Sequence, residues 1–140
     1  FDVVRNGGHA YGIPSFDGVS AETMGLIPVM TLTAPVLSVE ENAEGLNSVT
    51  IAAGYLHGIP GYAVNKVELA IGGNRIRLVQ VDSETLTAVG NNTVTPGETA
   101  YLFGDGTHGE LTVREWGDFL GTLGDEICCR ISPTVERKLI

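Results

Sequence analysis

The chain has 140 residues, a formal net charge of −9 and only 18% charged residues, against roughly 25% in typical soluble domains. Its scattered lysines and arginines form no basic stripe that could bind phosphates, which excludes direct nucleic-acid binding and disfavours an anionic membrane surface. No apolar run reaches the ~20 residues that a membrane-spanning helix needs.

A low content of charged residues has two interpretations. Part of the apolar surface can face other protein subunits, as in a component of an assembly. Alternatively, the chain is a β protein rich in glycine, valine and threonine whose solvent face uses threonine, serine and asparagine. Composition alone does not separate the two.

Residues 1–21 are rich in glycine and polar side chains and show no sustained periodicity. We therefore predict an extended N-terminal arm, followed by a single β-rich domain over residues 22–140. Extended arms commonly stabilise assemblies by adding a strand to a neighbour's sheet edge. We expect the arm to bind other protein subunits in this way, in a homo-oligomer or a hetero-assembly. Its anchors would be Phe1, Val3, Val4, Tyr11 and Phe16.

The domain begins with short runs of β-forming residues. Leu26–Glu41 predicts one or two strands, and Pro28 and Pro35 restrict them to edge, terminal or bulged positions because proline cannot donate to a ladder. Asn47–Leu56 predicts another strand. Its apolar residues alternate onto one face at Val49, Ile51 and Ala53.

A β-hairpin is predicted over Asn65–Val81. Apolar and polar residues alternate on both sides of Gly72-Gly73-Asn74, which supplies the positive φ that a tight turn requires. The side chains expected on one face are Val67, Leu69 and Ile71 in the first strand and Ile76, Leu78 and Gln80 in the second.

Two further strands follow. Glu84–Val89 is closed by the turn signal Gly90–Asn92, and Thr99–Phe103 follows the turn residues Pro96-Gly97. The stretch TPGETAYLF, which contains the second of these strands, resembles the Pro-Gly-Thr-x-Tyr turn and strand of fibronectin type III and other immunoglobulin-like modules. There the tyrosine anchors a corner of the sandwich. The resemblance implies a sandwich with Tyr101 in that position.

One helix is predicted in the C-terminal half. Thr112 and Glu115 have the spacing of a capping box. The apolar residues that follow at helical spacing are Trp116, Phe119, Leu120 and Leu123. We expect about three turns, ending near Gly124, and a last strand over residues 126–132.

These elements predict an all-β, mainly antiparallel fold: a β-sandwich or small barrel of about eight short strands. One short α-helix and the extended N-terminal arm complete it. A parallel βαβ fold is excluded, because it would need helices alternating with the strands.

The tripeptide Gly-Ile-Pro occurs twice, in YGIPSF (residues 11–16) and HGIPGY (residues 57–62). The flanking sequences do not align, so the pair is not a domain repeat. Proline forces the isoleucine before it into extended geometry. Each copy is therefore interpreted as a bend that places Ile13 or Ile59 and a nearby aromatic residue against neighbouring surface, and GLIPVM repeats the device at Ile27.

The sequence offers no recognisable metal, cofactor or catalytic set. Cys128 and Cys129 are adjacent and are expected to be free thiols, one of them buried. His9, His57 and His108 each lie beside glycine in a predicted loop, without ligand spacing. No nucleophile elbow or phosphate-binding loop is present.

The run from Gly109 to Glu115 resembles the second half of an EF-hand calcium loop. Gly104, Gly106 and His108 would then occupy ligand positions that need carboxylates, and Asp105 is out of register. Helix capping already accounts for Glu115, so calcium binding is disfavoured.

Two functional hypotheses follow. The favoured one is a non-enzymatic structural or interaction module of a larger assembly, such as a viral capsid or tail component or a microbial surface filament subunit, located in a virion or at an extracellular surface. It assigns no catalytic residue, metal or cofactor. The alternative is a small ligand-binding or hydrolytic β domain. Its loops would collect His57, Tyr62, His108 and Asp105 at one end.

Overall fold

Six antiparallel strands form a closed barrel, which two short helices cover. A computed structural model describes residues 2–14, 16, 18–91 and 93–139. The strands are β1 (Leu32–Glu41), β2 (Asn47–Ile51), β3 (Glu68–Ile71), β4 (Asn74–Val81), β5 (Leu86–Gly90) and β6 (Thr99–Phe103), and the helices are α1 (Val113–Leu120) and α2 (Gly124–Arg130). Of the 3-10 helices, Gly8–Tyr11 and Glu22–Met24 precede β1, and Tyr55–His57 and Gly61–Ala63 lie between β2 and β3.

Strand β1 closes the barrel because it pairs with two neighbours. Its first half, Leu32–Pro35, pairs with β6, and its second half, from Val36, pairs with β2. The order around the barrel is β1-β2-β5-β4-β3-β6. Pro35 lies on the outer surface where β1 changes partner, next to a register shift between Val36 and Ser38. Pro35 is itself paired with Thr99, so it lies beside the bulge rather than at it, within a strand that was predicted to place its prolines at edge, terminal or bulged positions.

The predicted hairpin is confirmed. β3 and β4 pair from Glu68 with Arg77 to Ile71 with Asn74, and the connecting Gly72 and Gly73 have φ of 57° and 78°. Both glycines are left-handed, as a type I′ turn requires. The alternation sends apolar side chains of both strands into the barrel as far as Leu78. Gln80, predicted on the same face, is exposed, and the register of β4 against β5 shifts between Leu78 and Gln80.

The all-β small-barrel prediction with a short helix is confirmed, with six strands rather than eight. A sandwich is not formed, because β1 and β6 join the ends of the sheet. Tyr101 accordingly does not anchor a sandwich corner. Its ring is partly exposed and stacks on His108, with ring centroids 4.1 Å apart.

Helix α1 begins as predicted, at a capping box. The Thr112 hydroxyl accepts from the Glu115 N–H (3.2 Å), and the Glu115 carboxylate accepts from the Thr112 N–H (2.7 Å). The helix ends earlier than expected, because Gly121 adopts a left-handed C-cap.

The strand predicted over residues 126–132 is wrong, since this region is helix α2. Acidic residues Asp125 and Glu126 occupy its first turn and Arg130 its last, which suits the helix dipole. Glu126 also pairs with Arg130 one turn away (3.3 Å). Ile127 is buried on the packed face of the helix, which a short run of β-like residues did not reveal.

The core fills the barrel and continues beneath the helices. Trp116 is fully buried, packs edge-on against Phe103 (centroids 5.8 Å apart) and donates its indole N–H to the Leu102 carbonyl oxygen (2.9 Å). This contact fastens α1 to β6. Phe119 and Leu123, which the sequence placed on the same apolar stripe, are exposed.

The N-terminal segment is partly integrated into the fold. Ile13 is 4% exposed and belongs to the core, whereas the predicted anchors Val3, Val4, Tyr11 and Phe16 are exposed. The fifth predicted anchor, Phe1, lies outside the described residues, as does Ser15 of the first Gly-Ile-Pro bend. Strand addition to other subunits stays a prediction. None of the helices described here has the length and apolarity to span a membrane.

The interpretation of Gly-Ile-Pro as a bend is confirmed for the two isoleucines. Ile59, like Ile13, is buried, but the nearby aromatic residues Phe16 and Tyr62 are exposed. Ile27, in the third Ile-Pro pair, is also exposed.

Candidate functional site

One end of the barrel carries a loop with an exposed tyrosine. β2 ends at Ile51, which pairs with Leu86 of β5, and Leu86 also pairs with Val81 at the end of β4. The β2–β3 loop and the β4–β5 turn therefore leave the barrel side by side. Residues 54–58 of this loop, which we name the Tyr55 turn, contain one 3-10 helix.

The β4–β5 turn holds the Tyr55 turn from one side. The N–H of Tyr55 donates to the Asp82 carbonyl oxygen and that of Leu56 to the Ser83 carbonyl oxygen, both at 2.8 Å. Gly54 lies so close that a Cβ on it would stand 2.6 Å from the Asp82 carbonyl oxygen. Only glycine permits this approach.

The end of helix α2 holds it from the other side. A Cβ on Gly58 would stand 2.3 Å from the Arg130 carbonyl oxygen, and Gly58 has φ of +104°. The Ser132 N–H donates to the His57 carbonyl oxygen (3.2 Å). Two segments that are distant in sequence therefore fix the same five residues.

A side chain on this fixed backbone points to solvent. Tyr55 is 64% exposed, and the neighbouring Leu56 is exposed as well. Tyr62, further along the loop, lies beneath two cations, with the Arg130 guanidinium 5.6 Å and the Lys66 ammonium 5.9 Å from its ring centroid. The arrangement presents a phenol, able to donate or accept a proton, on a rigid support.

The four loop residues of the sequence hypothesis fall into two groups. His57 and Tyr62 belong to the loop just described. His108 and Asp105 lie in the β6–α1 loop, where His108 stacks on Tyr101 and its N–H donates to Glu110 (2.8 Å). Within the residues that the structure describes, no group of three or more histidine, cysteine or acidic side chains could hold a metal ion.

Glu110 and Glu115 of the calcium-like loop both accept hydrogen bonds from nearby backbone N–H groups. Glu115 caps α1, and the buried Glu110 carboxylate accepts from the N–H groups of Gly106 (3.2 Å) and His108. Asp105 accepts from Thr107, and these hydrogen bonds lower the pKa of the aspartate.

Both cysteines are free, as predicted, but on a helix. Cys128 is partly rather than fully buried, and this burial raises its pKa to about 11, whereas Cys129 is exposed. Cys129 immediately precedes Arg130, the residue that contacts the Tyr55 turn.

A concavity of about 900 Å³ lies elsewhere, between the N-terminal segment and the start of α1. Four of its five charged lining residues make hydrogen bonds within the protein, and the fifth, Glu22, is exposed. Arg114 donates to Asp118 (3.0 Å) and to the Pro14 carbonyl oxygen (3.0 Å), and Glu115 caps the helix. We therefore place the candidate site at the Tyr55 turn.

The sequence hypothesis missed Tyr55 and read it as the end of a strand. A local signal existed in the two flanking glycines, Gly54 and Gly58. Their significance depends on the backbones that approach them, and these come from residues 82–85 and 130–131.

Comparisons with known proteins identify the domain. The family described as "Alanine racemase, C-terminal domain" matches residues 43–139. The alanine racemase of Thermobifida fusca is 34% identical over 98% of this chain, and this alignment spans 40% of that protein. The chain thus spans about two fifths of the length of the curated relatives that it matches.

Solved structures of alanine racemases contain a domain with the same fold. The biosynthetic alanine racemase of Pseudomonas aeruginosa superposes with a TM-score of 0.82 and 28% identity, covering 91% of this chain and 39% of that one. The alanine racemase of Bartonella henselae, solved with covalently bound pyridoxal phosphate, shares the fold with a TM-score of 0.77 and 19% identity. That match covers 94% of this chain and 37% of the Bartonella chain.

These matches overturn the functional expectation. The prediction of a non-enzymatic capsid, tail or filament module is wrong. The matched family is a domain of an enzyme, and the matched relatives are enzymes. The alternative, a small ligand-binding or hydrolytic β domain, is overturned as well, because the matched relatives are racemases. The chain belongs to the alanine racemase C-terminal domain family.

Proposed function

We propose that this chain is the barrel domain of an enzyme that racemises alanine, and that Tyr55 is the proton-transferring group it contributes. The observation that carries the proposal is an exposed tyrosine on a turn fixed from two sides, in a domain of this family. The part of the enzyme that the chain does not span would complete the active site.

Racemisation has a simple proton balance. A proton leaves Cα of the amino acid on one face, and a proton is delivered to the opposite face, with no other net change. A fixed acid–base group is therefore needed on each face. A phenol can fill one of these roles, because its oxygen is a donor when protonated and an acceptor when ionised.

Support for Tyr55 in this role comes from its backbone. A general acid or base must be held within hydrogen-bond reach of the reacting carbon, and small displacements are costly. The hydrogen bonds of Tyr55 and Leu56 to the β4–β5 turn and the close packing of Gly58 on Arg130 restrict that displacement.

The chain's lysines do not fit as the covalent anchor of pyridoxal phosphate, the cofactor of the Bartonella relative. Such an anchor is a lysine amine placed in a pocket. Lys66 and Lys138 are both exposed, and Lys138 reaches Glu136 in the C-terminal tail (3.7 Å). We assign the anchoring lysine to the part of the enzyme outside this chain.

The test is an assay of the native polypeptide that contains this chain, with L- and D-alanine as separate substrates and chiral chromatography of the products. We expect interconversion in both directions. Tyr55→Phe should lower kcat by about 10²–10⁴-fold in at least one direction, with little change in KM.

Tyr101→Phe is the matched control, because Tyr101 lies in the β6 strand and its ring stacks on His108. It should keep the native rate. Absence of alanine racemisation in the native polypeptide would refute the function, whereas full activity of Tyr55→Phe would refute only the assignment of Tyr55.

A further inference from the structure

The N–H of Gly54 is bound by a side chain. Gly54 is buried, and its N–H donates to Nδ1 of His57 at 3.0 Å. The N–H groups of Tyr55, Leu56, His57 and Gly58 donate instead to backbone carbonyl oxygens. The imidazole thus makes a hydrogen bond inside the Tyr55 turn, between its first and fourth residues.

This contact acts where the turn is intrinsically weakest. Position 54 must be glycine, since a Cβ there would collide with the Asp82 carbonyl oxygen. Glycine also has the greatest backbone freedom of any residue. A buried N–H without an acceptor is costly, so the imidazole penalises every rotation of Gly54 that breaks the bond.

We propose that His57 is a positioning residue for Tyr55, acting through the hydrogen bond from Gly54 to Nδ1 of a neutral imidazole. This inference rests on the proposed function, because it assigns His57 a part in placing the Tyr55 phenol. His57 itself does not transfer the proton. It restrains the residue that precedes Tyr55, and its own carbonyl oxygen is held by the Ser132 N–H.

Two substitutions separate this role from simple packing. His57→Asn retains an acceptor, because Oδ1 of asparagine and Nδ1 of histidine are the same number of bonds from Cα. His57→Ala removes the acceptor. His108→Ala is the matched control, since His108 is also a loop histidine but contacts Tyr101 and Glu110.

All three variants are made in the native polypeptide that contains this chain. We expect His57→Ala to lower kcat for alanine about ten- to a hundredfold, with KM little changed. His57→Asn should stay within about threefold of the native kcat, and His108→Ala should match it.

Hydrogen exchange of the peptide over residues 53–59, followed by mass spectrometry, gives a readout independent of activity. His57→Ala should speed exchange at one amide by about tenfold or more, and His57→Asn should not. Unchanged exchange in His57→Ala, or equal defects in both His57 variants, would overturn the proposal.

If His57→Ala does not fold, the proposal is tested by comparing His57→Asn with the native polypeptide. Loss of protection or activity in His57→Asn then counts against the proposal. If exchange behaves as expected but the native polypeptide is inactive, the proposed function fails and the positioning role with it.

Discussion

Gly58 and Arg130, separated by 72 positions, touch backbone to backbone: a Cβ on the glycine would stand 2.3 Å from the arginine's carbonyl oxygen. The glycine also has φ of +104°, which disfavours any side chain. Helix α2 is therefore part of the support of the Tyr55 turn, and the conformation of the turn depends on how α2 is packed.

Substituting Gly58 should be more destabilising than its φ alone explains. We expect Gly58→Ala to lower the free energy of unfolding by about 3 kcal/mol, through left-handed strain plus the collision with Arg130. Urea unfolding followed by circular dichroism measures this.

Gly97→Ala provides the control, because Gly97 has φ of +91° with nothing near its missing Cβ. It should cost only about 1 kcal/mol, the strain term alone. Equal losses in the two variants would show that the contact with Arg130 carries no energy.

The single tryptophan should stabilise the fold through its N–H as well as its bulk. Trp116→Phe keeps an aromatic ring against Phe103 but leaves the Leu102 carbonyl oxygen without the indole donor. We expect a loss of about 1–3 kcal/mol in the free energy of unfolding, and about 3–5 kcal/mol for Trp116→Ala. Circular dichroism is the measurement, because both variants lack the tryptophan whose fluorescence would otherwise report unfolding. A midpoint for Trp116→Phe identical to that of the native chain would contradict the role of the hydrogen bond.

The α1 capping box should be sensitive to the hydroxyl of residue 112. Thr112→Ala removes the acceptor for the Glu115 N–H and is expected to cost about 1 kcal/mol, whereas Thr112→Ser should cost only a few tenths. Thermal unfolding of the two variants side by side checks this. If serine is as destabilising as alanine, the threonine methyl group matters and the cap does not.

The adjacent thiols should differ in reactivity. Because burial raises the pKa of Cys128 to about 11, this thiol carries little thiolate at pH 8 and should be alkylated slowly. The exposed Cys129 should react first with iodoacetamide, as peptide mass spectrometry can show.

The rate at which Cys128 is alkylated should increase with pH. A raised pKa means that the protonated thiol is favoured, so alkylation of Cys128 should accelerate as the pH rises towards 11. The Cys129→Ser variant isolates this slow phase. Equal rates for both cysteines at pH 8 would contradict the effect of partial burial on the Cys128 thiol.

Local patterns in the sequence were sufficient for part of this fold. The Gly72-Gly73 hairpin and the Thr112–Glu115 cap depend on residues within a few positions of each other, and both are confirmed. The burial of Ile13 and Ile59 followed from the proline after each. Helix α2 was missed, because its stability comes from packing Ile127 against the rest of the domain.

The sequence by itself determined the β-rich class, the hairpin and the helix cap. Each of these depends on side-chain type at short spacing. Only the tertiary structure decided that the sheet closes through β1 and that residues 54–58 meet both residues 82–85 and the end of α2. Backbone contacts between distant segments leave no periodic trace in the sequence. The contact requires glycine on one side only, and the approaching backbone of residues 82–85 or 130–131 can carry many different side chains. Tyr55 became a candidate only when those contacts showed that its turn is fixed on both sides.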